Sequence, residues 1–151
     1  MKKLLVFSML CLMAFVMNAQ VFVDLGLPSG TLWKSANEKE YFYTYDEATS
    51  KFGNKLPSRD QWEELIALCT WTWTGKGYKV TGDNGNSIVL PAAGWRSSEG
   101  RWFYVGSHGS YWSSTYKNRI GFCVLLFEKG RVGVSTDSGE SGCSVRLVQN
   151  K

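Results

Sequence analysis

Leu56-Pro57-Ser58-Arg59-Asp60-Gln61-Trp62-Glu63-Glu64-Leu65-Ile66-Ala67-Leu68-Cys69 is the stretch that decides the fold. Ser58, followed three residues later by Gln61, is a capping box in which each side chain satisfies the other residue's unpaired backbone N–H. Trp62, Leu65, Ile66 and Cys69 then recur at i, i+3, i+4 and i+7, the spacing of a helix with one face on a core. Asp60, Glu63 and Glu64 stand in the first turns, where they complement the positive end of the helix dipole. Being adjacent, Glu63 and Glu64 point about 100° apart and cannot flank one substrate atom as a glycosidase pair does. Upstream, Thr44 and Glu47 form a second capping box for a two-turn helix that runs through Ala48 to Phe52 and stops at Gly53.

On either side of these helices the pattern is that of strands. Residues 21–25 and 31–34 flank the turn Leu27-Pro28-Ser29-Gly30. Beyond Thr70 no helical period survives, and short apolar segments alternate with turn pairs. Asn84-Gly85 separates 78–81 from 87–90, Ser98-Glu99-Gly100 separates 94–96 from 102–104, and Lys129-Gly130 separates 121–127 from 132–135, with a closing strand at 144–148. The expected class is α+β, two short helices packed on a small, twisted, mostly antiparallel sheet with long loops.

Lys2 and Lys3, the apolar run 4–17 and the small residue Ala19 read as a signal peptide over residues 1–19, which leaves one exported domain at 20–151. The apolar run is shorter than the roughly 20 residues of a bilayer span, so no transmembrane segment is expected in the mature chain. Cys11 follows Leu10 instead of a small residue, which argues against lipidation. Expected locations are the periplasm, the cell surface or the medium. Without Lys2 and Lys3 the chain carries 15 basic and 13 acidic side chains, a charge of +2 with no basic cluster, and nucleic acid is not an expected partner.

The mature chain keeps Cys69, Cys123 and Cys143 in a compartment where disulfides persist. An odd count leaves at least one thiol unpaired; Cys69 with Cys143 is a candidate bridge, and buried free cysteines are the alternative.

Several segments taken in order, 23–33 (VDLGLPSGTLW), 56–65 (LPSRDQWEEL), 90–96 (LPAAGWR), 111–115 (YWSST) and 144–148 (SVRLV), resemble the Fibrobacter succinogenes major paralogous domain family over nearly all of the mature chain. The resemblance implies a C-type-lectin-like fold related to formylglycine-generating enzymes, with Trp33, Pro57, Trp62, Trp112 and Arg146 as structural motif residues. Leu147 departs from the proline, and Cys143 from the aromatic, that the pattern leads one to expect. The copper-holding cysteine pair of those enzymes has only Cys123 as a counterpart here, and the three histidines of the iron-dependent relatives have only His108. Glu-Pro-Asn, Gln-Pro-Asp and Trp-Asn-Asp, the calcium and sugar motifs of lectins, do not occur.

Other chemical readings lack a complete motif. His108 near Ser113, Ser114 and Asp137 suggests acyl transfer only loosely, and Gly-x-Ser-x-Gly occurs nowhere. Asp83, Asn84 and Asn86 lack the alternating acids of an EF-hand, and Gly75-Lys76-Gly77 lacks phosphate-loop spacing. No catalytic residue, metal or cofactor is expected. Residues 96–119 read as long loops rich in aromatic and polar side chains; of these, Trp102, Tyr111 and Trp112 are assigned to the core, while Tyr104, His108, Tyr116, Asn118 and Arg119 are the candidate binding face. The function expected is a non-catalytic module recognising a glycan, a peptide or a surface protein. The alternative is a cell-surface assembly component docking a partner protein, ahead of a degenerate oxidase or hydrolase.

Overall fold

Both capping boxes form in the computed structural model, which describes residues 21–39, 42–117 and 119–151; the signal segment 1–19 and Asn118 lie outside the described residues. Thr44 N donates to Glu47 Oε2 at 2.8 Å and Glu47 N to Thr44 Oγ1 at 3.3 Å, opening α1 (Tyr45–Phe52). Gly53, at φ +52°, ends it and begins a 3-10 turn, Gly53–Lys55. Ser58 and Gln61 exchange the equivalent bonds at 2.9 and 3.1 Å to open α2 (Arg59–Leu68). The periodic residues Trp62 and Leu65 are buried on one face of α2.

The strands are short and antiparallel. β1 (Phe22–Asp24) pairs with β2 (Leu32–Lys34), and β3 (Thr70–Trp73), β4 (Gly77–Thr81) and β5 (Ser87–Pro91) form a meander. β6 (Trp95–Arg96) and β7 (Trp102–Phe103) make a small hairpin, and β8 (His108–Lys117), β9 (Gly121–Glu128) and β10 (Arg131–Asp137) make the longest sheet, in the order β10-β9-β8. β11 (Val148–Gln149) returns to β2, so the two ends of the described chain share one sheet. The class is α+β, two short helices with several small antiparallel sheets.

The β8-β9-β10 sheet separates two cores. On one face Tyr111, Leu125, Phe127, Val132 and Val134 pack with Trp33, Trp62, Leu65, Val80 and Leu90. On the other, Trp112 and Val124 lie under Tyr45, Ala48, Leu56, Val145 and Leu147. Each such large apolar side chain contributes roughly 1.5–3 kcal/mol by leaving water. The five motif residues hold this arrangement. Trp33, Trp62, Trp112 and Arg146 are fully buried; Trp62 Nε1 donates to Trp112 O at 3.3 Å, Trp112 Nε1 to Tyr43 O at 2.6 Å, and buried Pro57 accepts from Ser114 N at 2.8 Å.

Three expectations are corrected. More than half of 96–119 is strand, since β8 takes ten of its residues and β6 and β7 three more. The glycine and serines of β8 are there for close packing on both faces: a Cβ on Gly109 would lie 2.0 Å from Phe127 Cζ, and Ser110 and Ser113 are buried. Trp102 is 52 % exposed, not core: it sits on a two-residue strand opposite Arg96, with its ring 4.6 Å from that of Phe42 in an edge-to-face contact. The closing strand 144–148 is reduced to β11, with Cys143 and Ser144 making isolated bridges to Tyr43 and Tyr111.

The Cys69–Cys143 bridge is likewise absent: Cys69, Cys123 and Cys143, the cysteines among the described residues, are all free. Cys69 follows α2 against the first core, whereas Cys143 belongs to the second, its Sγ accepting from Ser110 Oγ at 3.1 Å. Burial pushes the Cys143 thiol up to about 12 and, with Asp83 and Glu64 nearby, raises that of Cys69. Thiol labelling of the native protein at pH 8 is expected to reach Cys69 slowly and to spare Cys123 and Cys143, with all three reacting in denaturant. Rapid native labelling of Cys143 would contradict this packing.

Candidate functional site

The second face of the β8-β9-β10 sheet is covered only in part. Its Trp112 and Val124 end lies under α1 and residues 142–147, but the other end carries His108, Glu128 and Arg131 in one cross-strand row, and Ser110, Leu126 and Gly133 in the next. Strand alternation puts these side chains opposite the Phe127 face. Leu126 is 40 % exposed, an apolar floor left open by the described residues, and Gly133 has open space where a Cβ would stand. The β6-β7 hairpin rises beside them and completes an open cleft of about 390 Å³.

The wall is aromatic. Trp95 stacks on Phe103 at 4.5 Å, and Tyr104 lies 4.4 Å from the His108 ring. Tyr104 is one of two described non-glycine residues with positive φ, +54°, a conformation that costs about 1–2 kcal/mol. Its carbonyl accepts from both Ser107 N, at 3.1 Å, and His108 N, at 3.0 Å, which holds the strained turn and leaves its ring exposed.

His108 bridges wall and floor. Its Nε2 lies 3.2 Å from Glu128 Oε2 and its Nδ1 2.9 Å from Ser107 Oγ. A proton on Nε2 donates to the carboxylate, while Ser107 Oγ, beside Nδ1, itself donates to Tyr104 O at 3.1 Å. The connectivity is that of a Ser-His-acid relay, but the N–H groups of Ser107 and His108 are both spent on Tyr104 O and offer nothing to an oxyanion. The arrangement places a ring, a carboxylate and the Arg131 side chain around one cleft. Among the described residues no three His, Cys, Asp or Glu side chains converge as metal ligands.

Tyr104 and His108 are thus brought together, whereas Tyr116 packs on Phe122, 5.2 Å away, at the other end of the β8-β9 ribbon, beside Arg119 in the turn. Eight residues of strand separate His108 from Tyr116, about 25 Å, so the candidate residues do not form one face. Asn118 lies outside the described residues. Ser113, Ser114 and Asp137 do not meet His108: Ser113 Oγ accepts from Thr115 N, and Asp137 is opposite Phe122. The Asn84 and Asn86 amides donate to Asp24 O at 2.9 and 2.8 Å, tying the hairpin to β1. Sequence reasoning missed Glu128, Arg131, Leu126 and Trp95. The signal for two of them was strand parity: in 121–128, Leu126 and Glu128 fall on the face opposite Leu125 and Phe127, and Arg131 stands opposite Glu128 across the Lys129-Gly130 turn.

No family model, curated protein or solved structure matches the chain. Among the described residues no helix is long and apolar enough to cross a membrane.

Proposed function

We propose that this chain is an exported, non-catalytic recognition module of C-type-lectin-like fold that holds a glycan in the cleft between the β6-β7 hairpin and the open end of the β8-β9-β10 sheet. Support for the fold comes from α2, opened by Ser58 and Gln61 beside buried Trp62, and from Arg146 buried at the far end of the chain. The observation that carries the function is the Tyr104-His108-Glu128 cluster: an exposed ring next to a carboxylate oriented by an imidazole, with Arg131 alongside. A ring face receives the C–H side of a sugar, and carboxylate and guanidinium groups take its hydroxyls, whereas a deep apolar pocket for a lipid or cofactor is not what this open cleft provides.

Glycan and peptide arrays probed with the purified protein test the reading. Tyr104→Ala and Glu128→Gln are each expected to weaken glycan binding by about tenfold or more, with the fold intact, while a Tyr116→Ala and Arg119→Ala double variant binds as the parent does. Glycan binding that survives both cleft variants, or that is lost only in the double variant, would sink the assignment. Peptide binding confined to the cleft would move it to another ligand class.

A further inference from the structure

β10 is an edge strand whose outer side is unpaired. Glu128 and Arg131 close the two-residue turn into β10 as partners, and their N–H and C=O groups bond each other. The alternation then turns the backbone groups of Arg131, Gly133, Ser135 and Asp137 toward β9, and those of Val132, Val134 and Thr136 outward. Among the described residues none of these six outward groups has a partner. The strand itself carries nothing that blunts the edge: it contains no proline or lysine, its register with β9 runs without a bulge, and α2 packs over its Val132 and Val134 face. Such a row of donors and acceptors is matched by another extended backbone.

The strand's own sequence specifies that backbone. The three outward residues are symmetric about Val134. A second copy laid antiparallel with Val134 opposite Val134 sets Val132 against Thr136 on both sides, so every outward residue meets another outward residue and six main-chain bonds form. The same register puts Arg131 opposite Asp137 of the second copy, twice by symmetry, and Gly133 opposite Ser135. Arg131 is exposed, and Asp137 uses only Oδ1 internally, to accept from Gly139 N at 2.8 Å. A slip of one residue destroys the hydrogen-bond parity; a slip of two leaves fewer bonded pairs and takes Arg131 and Asp137 out of opposition.

We infer that β10 pairs with β10 of a second copy about a two-fold axis at Val134, joining two three-stranded sheets into one of six strands. Opposed residues of an antiparallel pair share a face, so both clefts open on the same side, and Asp137 of the second copy joins Arg131 on each rim. A ligand with repeating units then meets two sites at once and gains avidity without new contacts. A strand pair alone buries less than the roughly 1,600 Å² of a standard interface, so the dimer is weak and depends on concentration.

Analytical ultracentrifugation of the purified protein across the micromolar range tests this, with near-UV circular dichroism to verify folding. A reversible monomer–dimer equilibrium is expected. Arg131→Asp and Asp137→Arg should each raise its dissociation constant about tenfold or more, and the double variant with the charges exchanged should recover most of the loss. Asp137→Arg also removes the bond to Gly139, so Thr136→Pro serves as an independent variant: it deletes an outward N–H and none of the bonds to β9, and should abolish the dimer. A protein that stays monomeric throughout, a dimer that survives Thr136→Pro, or charge exchange without recovery overturns the inference. Glycan binding by monomeric Thr136→Pro would leave the cleft assignment standing, so the two ideas fail separately.

Discussion

Replacing Arg146 by methionine is expected to lower the unfolding free energy by about 3–5 kcal/mol, read as a shift in the denaturation midpoint. Arg146 is 1 % exposed, and among the described residues no carboxylate hydrogen-bonds its guanidinium. Instead Nε and Nη2 donate to Asn37 Oδ1 at 2.9 and 2.7 Å, Nη1 to Lys34 O at 3.0 Å, and Nη2 to Val89 O at 2.5 Å. Asn37 in turn donates to the Tyr111 hydroxyl at 3.0 Å, which donates to Pro91 O at 2.8 Å. One side chain therefore ties the residues after β2, the outer edge of β5 and the centre of β8 to the C-terminal segment. Burial drags the guanidinium down to about 10, with Glu38 among the groups that partly oppose the shift; this is still well above neutral pH, so the folded protein holds a buried charge whose hydrogen bonds all go to neutral oxygens. Methionine fills much of the volume but leaves the Asn37 oxygen and two carbonyls without donors, each costing about 1–3 kcal/mol less whatever water recovers. Lysine keeps the charge but not the planar fork, so Arg146→Lys should regain only part of the loss. A methionine variant within 1 kcal/mol of the parent would show that water replaces the network freely and that Arg146 is not its keystone.

Gly94→Ala is expected to cost about 3 kcal/mol or more and to remove ligand binding even from molecules that remain folded. Gly94 adopts φ +72°, donates to His108 O at 2.7 Å and bridges Gly109, thereby seating the β6-β7 hairpin beside β8. An added Cβ would lie 2.1 Å from Phe103 O and 2.9 Å from Val105 N, both main-chain atoms that no side-chain rotation can clear. Relief requires the hairpin to move, and with it the Trp95, Phe103 and Tyr104 wall. Gly133→Ala is the matched control. Gly133 has no positive φ and open space around its Cβ position, so that variant should stay within about 0.5 kcal/mol of the parent. Equal losses from the two substitutions would mean that glycine's backbone entropy, not the close approach at Gly94, is being measured.

Local rules account for what was legible early. Each capping box is complete within four residues, and the Trp62 and Leu65 stripe depends only on helical period, so both helices and their buried faces follow from sequence. The hairpin turns at Asn84-Gly85 and Lys129-Gly130 are equally local: Gly85 and Gly130 supply φ of +86° and +82°. β8 defeats the same rules. Its Gly109, Ser110, Ser113 and Ser114 carry the composition of a turn, and they form a strand because Phe127 on one face and Cys143 with its neighbours on the other leave no room for larger side chains.

The candidate site divides along the same line. Tyr104 and His108 were recognisable as aromatic and polar residues in a glycine-rich stretch, and their meeting follows from a short turn. Glu128 and Arg131 join them only because β9 sits between β8 and β10 in a register that aligns three residues from distant parts of the chain. Tyr116 and Arg119 leave the group for the same reason, carried to the opposite end by the length of β8. The amino-acid sequence alone determined the helices, the turns and the class of fold, because those depend on neighbours a few residues apart. Only the tertiary structure decided which thiols stay apart, which half of the sheet is left uncovered and which charges face one cleft, because strand order and register are settled by packing between segments that no local pattern connects.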